Sequence, residues 1–197
     1  MSKIKFSIII AGTMNWGKWG KQLDTNDMIY LINSWLEVGL TSFDHADIYG
    51  SFTTESDFGK ALKEGGIDRG TIQLISICGI AYVSPNRNNN IKHYNYSKGY
   101  IISSVETSLK NLETEYLDAL LLHRPSPLMH PHEIMEAVAK LGQEGKIKSF
   151  GVSNFTPSQV ELIASEVPVE INQIEFSLTH NEAMFDGTLD QMMTNTI

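Results

Sequence analysis

Phe43-Asp44-His45-Ala46-Asp47-Ile48-Tyr49-Gly50 follows the short apolar and β-branched run Leu40-Thr41-Ser42. That order reads as the end of a β-strand opening into a loop, and the loop carries two carboxylates, a histidine and a tyrosine. The octapeptide alone also has an ordinary reading, in which Asp44 and Asp47 cap the next turn and Tyr49 packs on the surface. What stands at the ends of the other strands decides between them, because barrel enzymes collect their chemistry on the loops that follow strands.

Upstream, a strand around Phe6 to Ala11 runs into Gly12-Thr13-Met14-Asn15-Trp16-Gly17-Lys18-Trp19-Gly20. A glycine at a strand end lets the backbone approach a ligand, or simply makes a tight turn. The apolar run Ile8-Ile9-Ile10-Ala11 behind Lys3 and Lys5 is too short to span a bilayer and has no small-residue cleavage pattern, so it reads as a buried strand. A first helix follows, with Thr25 or Asn26 as its cap, Met28, Leu31, Ile32, Trp35 and Leu36 on one face, and Gly39 just past its end.

Downstream, Glu55 to Leu62 reads as a second helix ended by Gly65-Gly66, and Ile72 to Ile77 as a third strand continuing into Cys78-Gly79-Ile80. The asparagine-rich segment between Ser84 and Asn95 reads as a long solvated loop. A third helix from Ser97 turns Ile101, Ile102, Val105, Leu109 and Leu112 inward. Leu117 to Leu122 is almost wholly apolar, the mark of a strand covered on both faces, and it ends at His123-Arg124-Pro125. A helix over Glu133 to Leu141, a strand over Ser149 to Val152 ending at Ser153-Asn154, and a capping box with proline at the first helical position, Thr156-Pro157-Ser158-Gln159, come next. A sixth strand spans Glu170 to Phe176, and Leu189 to Met193 begins another helix.

Six strands alternating with helices require a parallel sheet with right-handed crossovers. The alternation suits an open doubly wound sheet and a barrel equally. Neither the dinucleotide-binding nor the phosphate-loop glycine pattern follows the first strand, which weakens the open sheet.

At 197 residues and 42% hydrophobic content the chain, residues 1–197, is expected to form a single domain with a real core. A net charge of -8 without any basic cluster excludes an electrostatic nucleic-acid footprint, and no segment calls for a membrane. The single cysteine, Cys78, fits a reducing compartment and hence the cytoplasm, and its place after a strand suggests burial rather than reactivity. His130-Pro131-His132-Glu133 has a metal-like flavour, but no third ligand is placed by the sequence, so it is read as helix cap and loop and no metal is assigned.

Taken together, Gly12-Thr13-Met14, the octapeptide at Phe43, Leu121-Leu122-His123-Arg124-Pro125, Gly145 to Phe155 and Asn172-Gln173-Ile174-Glu175 resemble the aldo-keto reductase family, motif by motif and in family order. The resemblance runs from Ile8 to the end of the chain. It implies an α/β fold of the (β/α)8 TIM type, here incomplete with about six of eight βα units, and carbonyl reduction with NADPH on a small carbonyl substrate. It further implies that Tyr49 is the proton donor, that Asp44 and His123 are its partners, and that Gly12, Thr13, Met14, Ser153, Asn154 and Gln173 belong to the cofactor site. In the family a lysine before the Cys-Gly at the end of the third strand completes the catalytic group; Ile77 stands there. The lysine's absence and the absence of two βα units imply an impaired or inactive enzyme, or a non-catalytic relic or binding module of the same fold. Two unpaired sheet edges, near Phe6 to Ala11 and near Glu170 to Phe176, imply possible self-association.

Overall fold

In the computed structural model of the protein, which describes residues 4–185, the octapeptide leaves strand β2 (Ser42–Ala46) as its residues predict. Around it lie β1 (Ile10–Gly12), β3 (Gln73–Cys78), β4 (Ile80–Ala81), β5 (His93–Tyr94), β6 (Ala119–Leu122), β7 (Phe150–Ser153) and β8 (Ile171–Gln173). The helices are α1 (Thr25–Glu37), α2 (Tyr49–Phe52), α3 (Thr54–Glu64), α4 (Lys98–Asn111), α5 (Pro131–Gln143), α6 (Pro157–Ala164) and α7 (Glu182–Phe185). Six strands form one sheet in the order β1-β2-β3-β6-β7-β8, parallel at every pairing. The sheet is an incomplete (β/α)8 barrel: its convex face carries the helices and its concave face holds a second, smaller core.

The two cores are written in the alternation of the strands. From β3, Leu74 and Cys78 join Phe58, Ile101 and Val105 in the outer core, while Ile75 and Ile77 point inward. From β6, Leu120 and Leu122 go outward, and Ala119 and Leu121 inward. Each fully buried side chain of this size contributes roughly 1.5–3 kcal/mol. Gly151 of β7 faces inward where space is short: a Cβ there would stand 2.5 Å from the Ile171 carbonyl oxygen and 2.7 Å from Leu121 Cδ2.

The N-terminal ends of the strands are locked by charge. Asp118 accepts from Arg69 Nη2 at 2.6 Å, Lys148 Nζ at 3.1 Å and the Leu74 amide at 2.9 Å, and both cations lie over the Tyr116 ring. Every acceptor site of this buried carboxylate that matters to the strand ends is thereby used.

Several expectations need correction. The first strand pairs only over Ile10–Gly12, and Ile8, Ile9 and Ile10 are exposed rather than buried. Their hydrophobicity specifies burial, but only β2 lies beside β1 among the described residues, so nothing covers them. The sixth strand is Ile171–Gln173, shorter than Glu170 to Phe176, because it too has a partner on one side only. Helix α1 is capped by Asp24, whose carboxylate accepts from the Asp27 amide at 2.9 Å in a capping box, and not by Thr25 or Asn26. The asparagine-rich segment is drawn in at its base by the β4–β5 ribbon, and Ser84 Oγ and Asn86 Nδ2 both donate to the Ser51 carbonyl. The Thr156–Gln159 capping box forms as expected, and Cys78 is buried. The expected helix at Leu189 to Met193 lies outside the described residues. No helix among the described residues is long and apolar enough to cross a membrane.

The Gly151 packing makes a direct expectation. Gly151→Ala should lower stability by about 1–3 kcal/mol in urea unfolding, since the new methyl meets backbone that cannot retreat. Gly142→Ala, where a Cβ in α5 would meet nothing within 4 Å, should be neutral or stabilising by at most about 1 kcal/mol.

Candidate active site

The C-terminal ends of β2, β3, β6, β7 and β8 surround one open pocket of about 320 Å³. Met14, Trp19, Ile48, Tyr49, Ile77, His123 and Arg124 line it on one side, and Ser153, Asn154, Gln173, Ile174 and Glu175 on the other. The period of two sends Asp44 inward and its neighbour His45 outward. His45 therefore packs edge-on against Phe58, with ring centroids 4.4 Å apart, and its Nδ1 bonds Thr13 Oγ1 at 2.9 Å. It does not line the pocket, and burial lowers its pKa to about 3, so the ring is neutral.

Asp44 lies beneath the pocket, 7% exposed. Gln173 Nε2 donates to its Oδ2 at 3.2 Å, while Oδ1 has no hydrogen-bond partner. Burial raises this carboxyl to about 6, with the Gln173 hydrogen bond opposing the rise. Asp47 and Glu55 are also buried, on the other side of the sheet end. Desolvation raises both carboxyls, and for Asp47 the neighbouring charge of Glu55 adds to it.

Tyr49 is turned into the pocket by a backbone of unusual hand. Gly50, Ser51 and Phe52 have φ of 59°, 60° and 70° in succession, and Thr53 Oγ1 donates to the Gly50 carbonyl. Two non-glycine residues in this region are strained, and the Ser84 and Asn86 bonds to Ser51 hold the strain in place. The Tyr49 ring meets Trp19 edge-on at 6.2 Å and His123 at 6.4 Å. Its phenol is raised well above the usual range, first by burial and then by the charge of Asp44, while Arg124 pulls the other way.

His123 follows β6, its amide donating to the Cys78 carbonyl at 2.9 Å. Burial, then the charges of Arg124 and Lys92, lower its pKa to about 4, so it too is neutral at pH 7. Ile77 contributes an aliphatic side chain, 3% exposed, to the inner core beside Ala46, Tyr49 and Ile75.

Across the pocket, Asn154 adopts φ 55° and is tied on three sides. Its amide donates to the Gln173 carbonyl at 2.8 Å, its Oδ1 accepts from the Glu175 amide at 2.7 Å, and its Nδ2 reaches Ser153 Oγ at 3.2 Å. Gln173 Oε1 is buried without a partner. A buried acceptor left open beside a hydroxyl and an amide fits a ligand that brings an N–H, such as a carboxamide.

Of the residues singled out in the sequence, Met14, Tyr49, His123, Ser153, Asn154 and Gln173 line this pocket, and Asp44 joins them through Gln173. Gly12 and Thr13 do not line it. Gly12 opens onto free space, and Thr13 is fully buried, its hydroxyl bonded to the Asp44 carbonyl at 2.9 Å. Trp19, Ile48, Arg124, Ile174 and Glu175 line the pocket but were not singled out. Trp19 and Arg124 sit inside motifs the sequence displays, one residue type at a time, with nothing in the spacing to aim them.

The sequence and the fold are similar to those of known proteins. Residues 8–191 match the sequence profile of the Aldo/keto reductase family. Oxidoreductase YdhF of Escherichia coli is 42% identical over 193 residues, covering 95% of this chain and 63% of its own length. Uncharacterized oxidoreductase YcsN of Bacillus subtilis is 43% identical over 190 residues, with the same two shares. The glycerol dehydrogenase AKR11B4 from Gluconobacter oxydans superimposes with a TM-score of 0.80 at 27% identity, over 94% of this chain and 57% of that one. The chain thus spans less than two thirds of the length of the curated relatives it matches. A profile match that leaves only the first seven and last six residues outside it settles the parentage: this chain belongs to the Aldo/keto reductase family.

Proposed function

We propose that the chain binds a nicotinamide dinucleotide, NADP(H), and reduces a small carbonyl compound in the pocket at the strand ends, with a chemical step weakened by Ile77. The observation that carries this reading is that Tyr49 and His123 face Ser153, Asn154 and Gln173 across one pocket. Ser153 Oγ, the Asn154 side chain and the open Gln173 Oε1 would hold the carboxamide of the cofactor, whose contribution when bound is a hydride for the carbonyl carbon. Met14 and Ile174 supply apolar walls to that end of the pocket.

The chain's own residues do the rest. Tyr49 keeps its proton at neutral pH, because burial disfavours the phenolate, and so arrives at a carbonyl oxygen as an acid. The neutral His123 ring, 6.4 Å from it centre to centre, can donate a hydrogen bond to the same oxygen and fix its position. Trp19 and Ile48 exclude water on the open side. What position 77 does not supply is an ammonium to steady the phenolate as it forms. A lysine at position 77 would face both Tyr49 and Asp44; an isoleucine does nothing for either, and Asp44 instead makes the proton harder to release.

The same residue supports a second reading, a non-catalytic binding module of this fold, because an aliphatic side chain completes the inner core without polar cost. Cofactor binding and chemistry are separable. NADPH should quench tryptophan fluorescence saturably at micromolar concentration, and Trp19→Phe should remove most of the quench, since among Trp16, Trp19 and Trp35 only Trp19 lines the pocket. No quench at all would sink both readings. Ile77→Lys should raise carbonyl reduction by about 10²-fold or more, the usual worth of such a group in proton transfer. A variant that binds NADPH and gains nothing would leave the binding module standing.

Asp44 gives a test in stability. Its folded pKa of about 6 lies above the unfolded value of 3.8, so the folded state holds the proton more tightly and loses stability as pH rises from about 4 to about 6. Asp44→Asn should therefore stabilise the protein at pH 7 by on the order of 2 kcal/mol, and by little at pH 3.5 or below. Paired urea titrations read it; an equal effect at both pH values would refute the assignment. The cytoplasm is the compartment we assign, on the single buried thiol of Cys78.

A further inference from the structure

Ile77 removes the expected ammonium, yet a cation does border the pocket. Arg124 lines it with Tyr49, His123 and Ile77, and is the one lysine or arginine to do so among the described residues. Its place is fixed through its backbone. The Tyr96 phenol donates to the Arg124 carbonyl and accepts from the Arg124 amide at 3.1 Å. Tyr96, 5% exposed, fits only because position 79 is glycine: Gly79 has φ +112°, and a Cβ there would run into the Tyr96 ring. Gly79 follows Ile77 by two residues, and the Cys78 carbonyl between them receives the His123 amide. The end of β3 and the segment after β6 are thus one built piece, and it presents Arg124 at the wall where the ammonium is missing.

We propose that Arg124 is the electrostatic partner of Tyr49 in this chain, its guanidinium stabilising the phenolate left when Tyr49 gives its proton to a carbonyl oxygen. The inference rests on the reductase reading above. In the step, the Tyr49 O–H bond would break and its proton join the carbonyl oxygen, the cofactor when bound supplying the hydride for the carbonyl carbon; Tyr49 would then take up a proton from bulk solvent, so that the reduction consumes one hydride and one solvent proton. Other charged groups bear on this pocket: Asp44 from β2 acts on Tyr49, Lys92, before β5, acts with Arg124 on His123, and Glu175 lines the opposite side. The charge of Arg124 opposes the rise of the Tyr49 phenol and holds His123 down, in both cases the sign that a nearby cation gives. A guanidinium spreads its charge and is a weaker partner than an ammonium at contact, but it stays charged at every accessible pH.

The experiment uses the full chain, Arg124→Gln, Arg124→Lys, Ile77→Lys and the Ile77→Lys/Arg124→Gln double variant. His123 ring protons are followed by NMR titration. Arg124→Gln should move the His123 midpoint up by about half a pH unit or more, and Arg124→Lys should restore it. An unmoved midpoint in folded Arg124→Gln protein overturns the proposal whatever the activity, because a guanidinium too far to act on His123 is too far to act on its neighbour Tyr49. In carbonyl reduction, Arg124→Gln should lower kcat about tenfold with KM within about twofold, and the loss should shrink to less than about threefold once Ile77→Lys supplies the ammonium. Equal losses with and without the lysine would overturn the partnership, pointing to a structural part for Arg124. If the midpoint moves as expected but no variant, Ile77→Lys included, reduces a carbonyl, the reductase reading falls and with it the catalytic use of Arg124.

Discussion

Each strand of this sheet has to serve two interiors at once. Pairing β3 between β2 and β6, over five and four residues, fixes which side chains face the helices and which face the concavity, and a slip of one residue would exchange the two sets. The outward set is mostly large and apolar, with Phe43, Leu74, Leu120, Leu122, Phe150 and Val152 beside the polar His45 and Ser76. The inward set mixes apolar residues with the groups that reach the pocket, so that Asp44, Ile77 and Ser153 come to one rim because register leaves them no other place.

The two ends of the sheet treat charge in opposite ways. At the N-terminal end Asp118 is paired with two cations and an amide, and both cations rest on one tyrosine ring. Such an arrangement serves stability, because a buried charge with all its partners costs little. At the C-terminal end Asp44 has one neutral partner and an open oxygen, and His123 Nδ1 and Gln173 Oε1 are open as well. Groups left unsatisfied inside a protein are costly, and they collect where a ligand can satisfy them.

Much of this was legible in the sequence because it depends on short-range pattern. The strand run of Leu117 to Leu122, the Thr156–Gln159 capping box and Gly39 beyond α1 are local signals, and the structure follows them to within a residue or two. The octapeptide showed its place for the same reason: Asp44 and Tyr49 are five residues apart at one strand end. What could not be read depends on neighbours. Ile8 to Ile10 look like core, yet burial needs a second strand beside them. Thr13 turned its hydroxyl to β2 instead of the pocket because His45 and the Asp44 carbonyl compete for it. Arg124 was in plain view after His123, but its backbone is held by Tyr96, 28 residues earlier, and by the missing side chain of Gly79 that makes room for that ring.

The division into an outer and an inner core bears on how such a chain can change over generations. The outer core, tying α1, α3, α4 and α5 to the sheet, carries most of the burial, while the concave face contributes a smaller group in which Ile77 is one apolar neighbour among several. An aliphatic side chain there packs without the desolvation cost that a buried charge would carry, so folding alone is content with isoleucine at position 77. Folding thus places no demand for a charged group on the concave face, and a carboxyl kept there, as at Asp44, is kept at a cost in desolvation.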